Sequence, residues 1–123
     1  MKIIFESGIK INCQLFPDKC PNTIKALLNS LPFESRVNLW GDEIYFSVPF
    51  SIEEENSKDV VELGDIAYWP EEPSLCIFFG PTPISPSPNI IKPYSPVNVI
   101  GKVIGDIKIL KNIKEGEKVL VTL

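Results

Sequence analysis

The sequence contains no histidine, a single arginine and only three cysteines. Without histidine, no histidine-dependent catalytic triad can form. The cysteines have no C-x-x-C spacing and offer too few soft ligands for an ordinary zinc site; they are Cys13, Cys20 and Cys76. We therefore expect no metal and no cofactor, and interpret the cysteines as buried thiols in a reducing compartment.

Positive charge and long apolar runs are also scarce. The chain has 12 lysine and arginine residues against 16 acidic ones, a net charge of −4. Nucleic-acid binding needs a basic surface, and the scattered lysines do not form one. No apolar run approaches the roughly 20 residues that cross a bilayer, and Met1–Glu6 becomes charged too soon for a signal peptide. We expect a cytoplasmic protein with neither a nucleic-acid nor a membrane partner.

Alternating apolar and polar residues dominate what is present. Ile9, Ile11, Cys13 and Leu15 alternate with polar neighbours, which is the period of a half-buried strand. Similar short patterns recur along the chain, and the apolar run from Leu75 to Phe79 is typical of a central strand. With 123 residues and 44% hydrophobic content, the chain is predicted to fold as one domain, 1–123, of mainly β structure.

Two segments break this pattern with helical spacing. Apolar residues recur at three- and four-residue intervals over residues 21–31, where Pro21 suits a first helical turn. We predict one clear helix there and a possible short second helix over residues 106–113. These elements favour a mostly antiparallel barrel of seven or eight strands.

A proline-rich stretch follows the central strand. Eight of the twelve prolines lie between Pro70 and Pro96, and missing amides exclude a regular strand or helix there. We predict a stiff, extended loop that forms a structural wall. Because such a segment costs little entropy to immobilise, docking of this loop into an aromatic groove of another protein remains an alternative.

Several segments carry a family resemblance. Residues 14–23, 76–79 and 98–106 resemble, in the same order, the Pro-x-Thr helix start, the aromatic pocket strand and the late glycine-rich strand of cyclophilins. The runs 31–33, 40–46, 63–65 and 78–83 look like the small prokaryotic cyclophilin-like family of uncharacterised proteins. The resemblance implies a closed eight-stranded antiparallel cyclophilin-like barrel.

The same resemblance suggests one catalytic candidate. Cyclophilins that isomerise proline peptides use an arginine, which lowers an amide rotation barrier of about 18–20 kcal/mol by electrostatic stabilisation. Arg36 lies where that arginine strand would fall, but Ser35 replaces the histidine that usually precedes it. The alternative is a surface role for Arg36, paired with Glu34 or Asp42.

The aromatic residues predict a ligand groove. We expect Phe46, Phe78 and Phe79 to form an apolar floor for a peptide or small ligand, with Trp40 or Trp69 as the rim. Arg36 would be the polar anchor of this groove. Active prolyl isomerisation by Arg36 and a non-catalytic subunit of a larger enzyme assembly remain alternatives, and the oligomeric state stays open. Adjacent Asp42 and Glu43 are interpreted as hairpin-turn residues rather than an acid–base pair.

Overall fold

The structure is a computed structural model that describes residues 1–123. Nine strands form one antiparallel sheet that curls into a nearly closed barrel in the order β3-β9-β1-β2-β8-β6-β7-β5-β4. The strands are β1 Lys2–Phe5, β2 Lys10–Leu15, β3 Phe33–Arg36, β4 Asn38–Trp40, β5 Glu43–Ser47, β6 Asp65–Trp69, β7 Ser74–Phe78, β8 Asn98–Ile104 and β9 Lys118–Thr122. The predicted antiparallel barrel is confirmed, with nine strands rather than eight.

The additional strand arises because the chain changes partners at Val37. Before it, β3 pairs with β9, and after it, β4 pairs with β5. The Val37 amide donates to the Glu117 carbonyl at 2.9 Å, and its carbonyl accepts from the Gly116 amide at 2.8 Å. This switch places the two end strands of the sheet next to each other in sequence, so the barrel nearly closes.

The helices agree with the predicted positions. Helix α1 spans Pro21–Ser30 and buries Ile24 and Leu27 against the barrel. The second helical segment, Ile107–Asn112, is a 3-10 helix whose first turn is capped by Asp106, which accepts from the Lys108 amide at 2.9 Å. None of the helices is both long and apolar enough to cross a bilayer.

A glutamate from a distant loop caps helix α1. The Glu55 carboxylate accepts from the backbone amides of Asn22 at 3.0 Å and Thr23 at 2.9 Å. It also accepts from the Thr23 hydroxyl at 2.8 Å. Asn98 of β8 completes the network, since its amide donates to the Thr23 hydroxyl and to the Glu53 carbonyl. These bonds satisfy amides that a helix start leaves without partners.

Part of the barrel wall is buried on both faces. The interior core contains 21 buried residues, among them Ile44, Phe46 and Ile77. A separate cluster of six buried residues lies on the other face of the sheet: Val61, Ala67, Cys76, Phe78, Ile91 and Val97. Isolated bridges join Lys58 to Val97 and Val61 to Ile91 over this face. All five residues of β7 are consequently buried, which confirms the predicted central strand.

The proline-rich segment packs closely on the turn between β4 and β5. The Asp42 amide donates to the Pro81 carbonyl at 3.0 Å, and the Phe79 amide donates to the Asp42 carbonyl at 2.9 Å. A Cβ atom at Gly80 would lie 2.2 Å from an Asp42 carboxylate oxygen, so only glycine permits this approach. Farther along, the Thr82 hydroxyl donates to the Lys92 carbonyl. The segment is therefore a fixed wall beside the barrel.

Candidate functional site

A cavity of ≈ 530 Å³ opens on the outer face of the barrel, between the strand wall and the end of the proline-rich segment. We call it the aromatic cavity. Its lining residues are Trp40, Glu43, Tyr45, Trp69, Glu71, Glu72, Cys76, Pro93, Tyr94, Ser95 and Val97. Cavities of roughly 300–1,000 Å³ hold small organic ligands in proteins.

Four aromatic rings in mutual contact form its walls. The ring centroids of Tyr45 and Trp69 lie 6.1 Å apart at 88°. Tyr94 contacts Trp69 at 5.9 Å and 67°, and Trp40 at 5.8 Å and 72°. Such edge-to-face contacts are a favourable arrangement of aromatic pairs. The four rings therefore form one connected chain along the cavity.

Three separate parts of the chain position these rings. Tyr45 points outward because its neighbours on β5, Ile44 and Phe46, fill the barrel interior. Trp69 ends β6, and its indole Nε1 donates to the Ser95 hydroxyl. Since Ser95 adjoins Tyr94, this bond fixes the loop of residues 93–95, here called the tyrosine loop, to the strand wall. The hydrogen bonds of the β4–β5 turn hold Trp40.

Glu43 contributes a buried carboxyl group to the same cavity. The residue is 5% exposed, and its Oε1 has no hydrogen-bond partner. Burial raises the pKa of Glu43 to about 7, and the neighbouring Cys76 thiol opposes this only in part. A buried carboxyl without a counter-charge is costly to ionise. Its charge state therefore changes near neutral pH.

The thiol on the neighbouring strand stays protonated. Burial, together with the charge of Glu43, raises the pKa of Cys76 well above its ordinary value. Because the thiolate is the reactive form of cysteine, we expect Cys76 to be unreactive. It contributes a small apolar surface to the cavity rather than a nucleophile.

The cavity carries only negative charge. Glu71 and Glu72, both exposed, join Glu43 in the lining, which contains no lysine or arginine. Burial raises the pKa of Tyr45, and nearby acidic residues, including Glu72, contribute to the rise. Like charges at one site favour a cation and disfavour an anion.

The structure brings together some of the predicted ligand-binding residues and separates others. Trp40 and Trp69 both line the aromatic cavity. Phe46 and Phe79 belong to the barrel interior, at 0% and 8% exposure, and Phe78 belongs to the outer cluster at 0%. None of the three phenylalanines lines the cavity, so the predicted apolar floor is corrected to Glu43, Tyr45 and Cys76. Strand alternation turns Phe46 and Phe79 inward, and the bridged loops cover Phe78.

Arg36 lies away from the aromatic cavity. It is exposed on β3, and its Nη1 donates to the Gly116 carbonyl at 3.0 Å. The ion pairs of the chain involve Lys102 alone, so the suggested pairing with Glu34 or Asp42 is not formed. Arg36 is therefore not the polar anchor of this cavity, while a catalytic role elsewhere stays a prediction.

Sequence reasoning missed Glu43, Tyr45 and Tyr94 as site residues. Glu43 is the first residue of β5, directly after the hairpin turn. The alternation of Ile44 and Phe46 was the signal that could have placed Glu43 and Tyr45 together on the opposite face. Tyr94 had no comparable signal, because its position depends on how the proline-rich segment returns to the barrel.

The fold and this site define a small, nearly closed antiparallel barrel with a ligand-sized cavity on its outer wall. The family described as cyclophilin-like matches residues 1–122, so the chain belongs to the cyclophilin-like family. The family resemblance noted in the sequence is thereby confirmed. Comparison with curated proteins found no match.

Two solved structures show the same architecture. The solution structure of the hypothetical protein AF2241 from Archaeoglobus fulgidus has 46% sequence identity and a TM-score of 0.85, covering 98% of this chain and 91% of that one. McbB, whose structure was determined in complex with tryptophan, has 18% identity and a TM-score of 0.77. That match covers 98% of this chain but only 43% of McbB, and it shows a shared fold alone.

Proposed function

We propose that this protein binds a small organic molecule in the aromatic cavity. The observation that carries the proposal is the preformed space of ≈ 530 Å³ walled by Trp40, Tyr45, Trp69 and Tyr94. Concave, aromatic-lined sites with few polar groups are typical of small-molecule binding. The hydrogen bond from Trp69 to Ser95 holds part of the wall in place before a ligand arrives, which lowers the ordering cost of binding.

The barrel scaffold supports a small ligand rather than a long peptide. Sheet-edge peptide binding needs unpaired backbone groups, whereas the strands behind the cavity, β5, β7 and β6, are paired with one another. Binding against these three strands would therefore depend on their side chains, whereas β4, which carries Trp40, is an end strand of the sheet. The likeness to McbB, determined in complex with tryptophan, is a reason to include an indole among the probes.

Ligand binding can be tested by isothermal calorimetry and by chemical-shift changes of backbone amides. The probes are tryptophan and three naphthalene derivatives of matched size: 2-(1-naphthyl)ethylamine, 2-(1-naphthyl)ethanol and 1-naphthylacetate. We expect at least one to bind, with shift changes confined to residues around the cavity. Tyr94 is 64% exposed, so Tyr94→Ala should leave the fold intact and weaken binding several-fold.

Phe16→Ala is the matched control, because Phe16 is a half-buried aromatic residue outside the aromatic cavity. It should leave the affinity unchanged. Failure of all four probes to bind folded protein at millimolar concentration would contradict the proposal. Binding that Phe16→Ala weakens and Tyr94→Ala does not would move the site elsewhere.

Prolyl isomerisation receives less support than binding. The one arginine lies outside the aromatic cavity and donates to a backbone carbonyl. A protease-free isomerase assay on an X-Pro peptide, with wild type and Arg36→Ala, tests this alternative. We expect no difference between the two proteins, and a turnover that the substitution removes would restore the isomerase hypothesis.

We retain a cytoplasmic location as part of the proposal. Cys13, Cys20 and Cys76 are all free and buried, as is usual for a protein of a reducing compartment. Association with other subunits also remains a hypothesis, which native mass spectrometry of the purified protein tests.

A further inference from the structure

We propose that the ligand of the aromatic cavity is an organic ammonium ion, bound with its positive charge against the Glu43 carboxylate. This inference rests on the proposed function and specifies the chemical class of the ligand. It requires a carboxylate that the protein itself does not satisfy, surroundings without competing cations, and walls that favour a cation.

Glu43 meets the first requirement. It is 5% exposed at the floor of the cavity, and its buried Oε1 accepts no hydrogen bond. Nearly all buried polar groups in native proteins have partners. A carboxyl oxygen without a partner beside a ligand-sized space therefore indicates that its partner comes from outside the chain. An ammonium ion supplies both the missing counter-charge and N–H donors.

The surroundings meet the second requirement. The remaining titratable groups of the lining come from β5, the β6–β7 turn, β7 and the proline-rich segment, and none is cationic: Tyr45, Glu71, Glu72, Cys76 and Tyr94. No cationic side chain of the cavity competes with a ligand for the Glu43 carboxylate, whose one partner in the lining is the neutral Cys76 thiol. An anionic ligand would face three carboxyl groups without a single counter-charge, which the Coulomb energy opposes.

The aromatic walls meet the third requirement. Trp40, Tyr45, Trp69 and Tyr94 all line the space, and three edge-to-face contacts at 67–88° link them. The faces of tryptophan and tyrosine attract ammonium groups. The same walls offer apolar surface to the organic part of the ligand. An aromatic amine would therefore contact the walls through both its ammonium group and its ring.

Binding of a cation would also change the protonation of the site. Burial holds the pKa of Glu43 at about 7 in the free protein, and a bound cation favours the ionised form. The carboxyl then releases its proton as the ligand binds. Because the ionised fraction rises through this range, affinity for an amine that stays protonated should increase about tenfold from about pH 6 to about pH 8.

The test compares the three naphthalene probes, which differ mainly in charge. At about pH 8 we expect 2-(1-naphthyl)ethylammonium to bind at least tenfold more tightly than the neutral alcohol, and the acetate to bind most weakly. Glu43→Gln keeps the size of the side chain and removes its charge. It should weaken binding of the ammonium probe about tenfold and binding of the alcohol less than threefold.

Glu34→Gln is the control for net charge, because Glu34 is exposed on β3 and lies outside the cavity. It should leave all three affinities unchanged. Amide spectra of each variant confirm that the fold is retained. The tenfold pH dependence should disappear in Glu43→Gln and persist in Glu34→Gln.

The outcomes separate this inference from the proposed function. Equal binding of ammonium and alcohol at the cavity would overturn the inference and leave small-molecule binding intact. Ammonium binding that Glu43→Gln does not weaken would likewise overturn the role of Glu43. Absence of binding by every probe contradicts both proposals.

Discussion

Two glutamates lie near buried cysteines in this barrel, at the start of helix α1 and at the aromatic cavity, and their carboxyl groups have opposite surroundings. Glu55 accepts three hydrogen bonds from Asn22 and Thr23. Although burial acts against ionisation, these bonds lower the pKa of Glu55 below its ordinary value. Glu43 has an orphaned oxygen, and burial raises its pKa to about 7.

The difference separates a structural carboxylate from a candidate functional one. The chain supplies every partner that Glu55 needs, and the ionised form then holds a loop to the helix start. At Glu43 the chain removes water and provides only the Cys76 thiol as a partner, which leaves Oε1 without one and makes the ionised form costly. Perturbed groups of this second kind cluster at functional sites.

Asp65 is an intermediate case. Burial is the main influence and raises its pKa, but the Glu62 amide donates to it at 2.8 Å and Lys102 lies 3.7 Å away, and both oppose the rise. Asp65 thus has partners, and yet burial still keeps its pKa above the ordinary value. The three carboxyl groups form a series that substitutions can test.

The largest effect on the free energy of unfolding is expected for Glu43→Gln. The folded-state pKa of about 7 lies above the ordinary glutamate value of 4.5, so the native state binds the extra proton between these values. The stability of the wild type relative to Glu43→Gln should therefore fall as pH rises through this window. At about pH 8 the variant should be more stable by up to about 3 kcal/mol, measured by urea unfolding across the pH range.

The difference in stability between wild type and Glu43→Gln should vanish below about pH 4.5. There the Glu43 carboxyl is protonated in both the folded and the unfolded state. Parallel stability curves for wild type and Glu43→Gln over the whole range would show that Glu43 carries no buried charge.

Whereas Glu43→Gln should raise the stability near neutral pH, Glu55→Ala should lower it. It removes the partner of two amides at the start of helix α1, at a cost of about 1–2 kcal/mol near neutral pH. A lowered pKa means that this stabilisation is present above the ordinary value and is lost as pH falls through the folded-state value. Thermal unfolding of wild type and variant near pH 7 and at acid pH measures both effects.

Glu53→Ala is a matched control, because Glu53 is exposed in the same loop and contributes only its backbone carbonyl to the Asn98 network. It should change stability by less than about 0.5 kcal/mol. An equal loss in both variants would mean that the loop, rather than the Glu55 carboxylate, stabilises the helix.

Lys102→Met should have a smaller effect, which concerns the pKa of Asp65 and the stability of the fold. Removing the ammonium group takes away an interaction that favours the ionised form of Asp65, so the pKa of Asp65 should rise further. Because Lys102 is a partly exposed residue with exposed Glu62 as its nearest partner, the cost should stay below about 1 kcal/mol. Carboxyl carbon shifts followed by NMR titration measure the change, and an unchanged pKa would argue against the ion pair.

The smallest effect is expected for Cys76→Ala, and it concerns the pKa of Glu43. Burial is the larger influence on the pKa of Glu43 and raises it, whereas the Cys76 thiol lowers it. Its removal should raise that pKa further, while the pKa of Glu55, whose carboxylate has its partners at the start of helix α1, stays the same. A fall in the pKa of Glu43 would show that water enters the cavity when the thiol is absent.

Local patterns were sufficient to predict most of the fold. The spacing of Ile24, Leu27 and Leu28 indicated helix α1 to within one residue of its end, because helical periodicity is a property of neighbouring residues. The barrel followed from recurring alternation. The strand change at Val37 was missed because it depends on hydrogen bonds to residues 116 and 117, far along the sequence.

The site was predicted only in part, for a related reason. Aromatic character alone identified Trp40 and Trp69, which do line the cavity. It failed for Phe46, Phe78 and Phe79, because apolar residues equally suit a core. Whether an outward-facing side chain is covered or open depends on where the proline-rich segment returns, and that is a tertiary property.

The position of the two tryptophans has a practical consequence. The sequence contains no others, and both indoles line the aromatic cavity. Intrinsic tryptophan emission from the unlabelled protein therefore reports on this one location, with no background from elsewhere in the barrel. The Trp69 hydrogen bond to Ser95 should make the wavelength of the emission maximum sensitive to movement of the tyrosine loop. Intrinsic fluorescence of the unlabelled protein can therefore be used to screen for ligands.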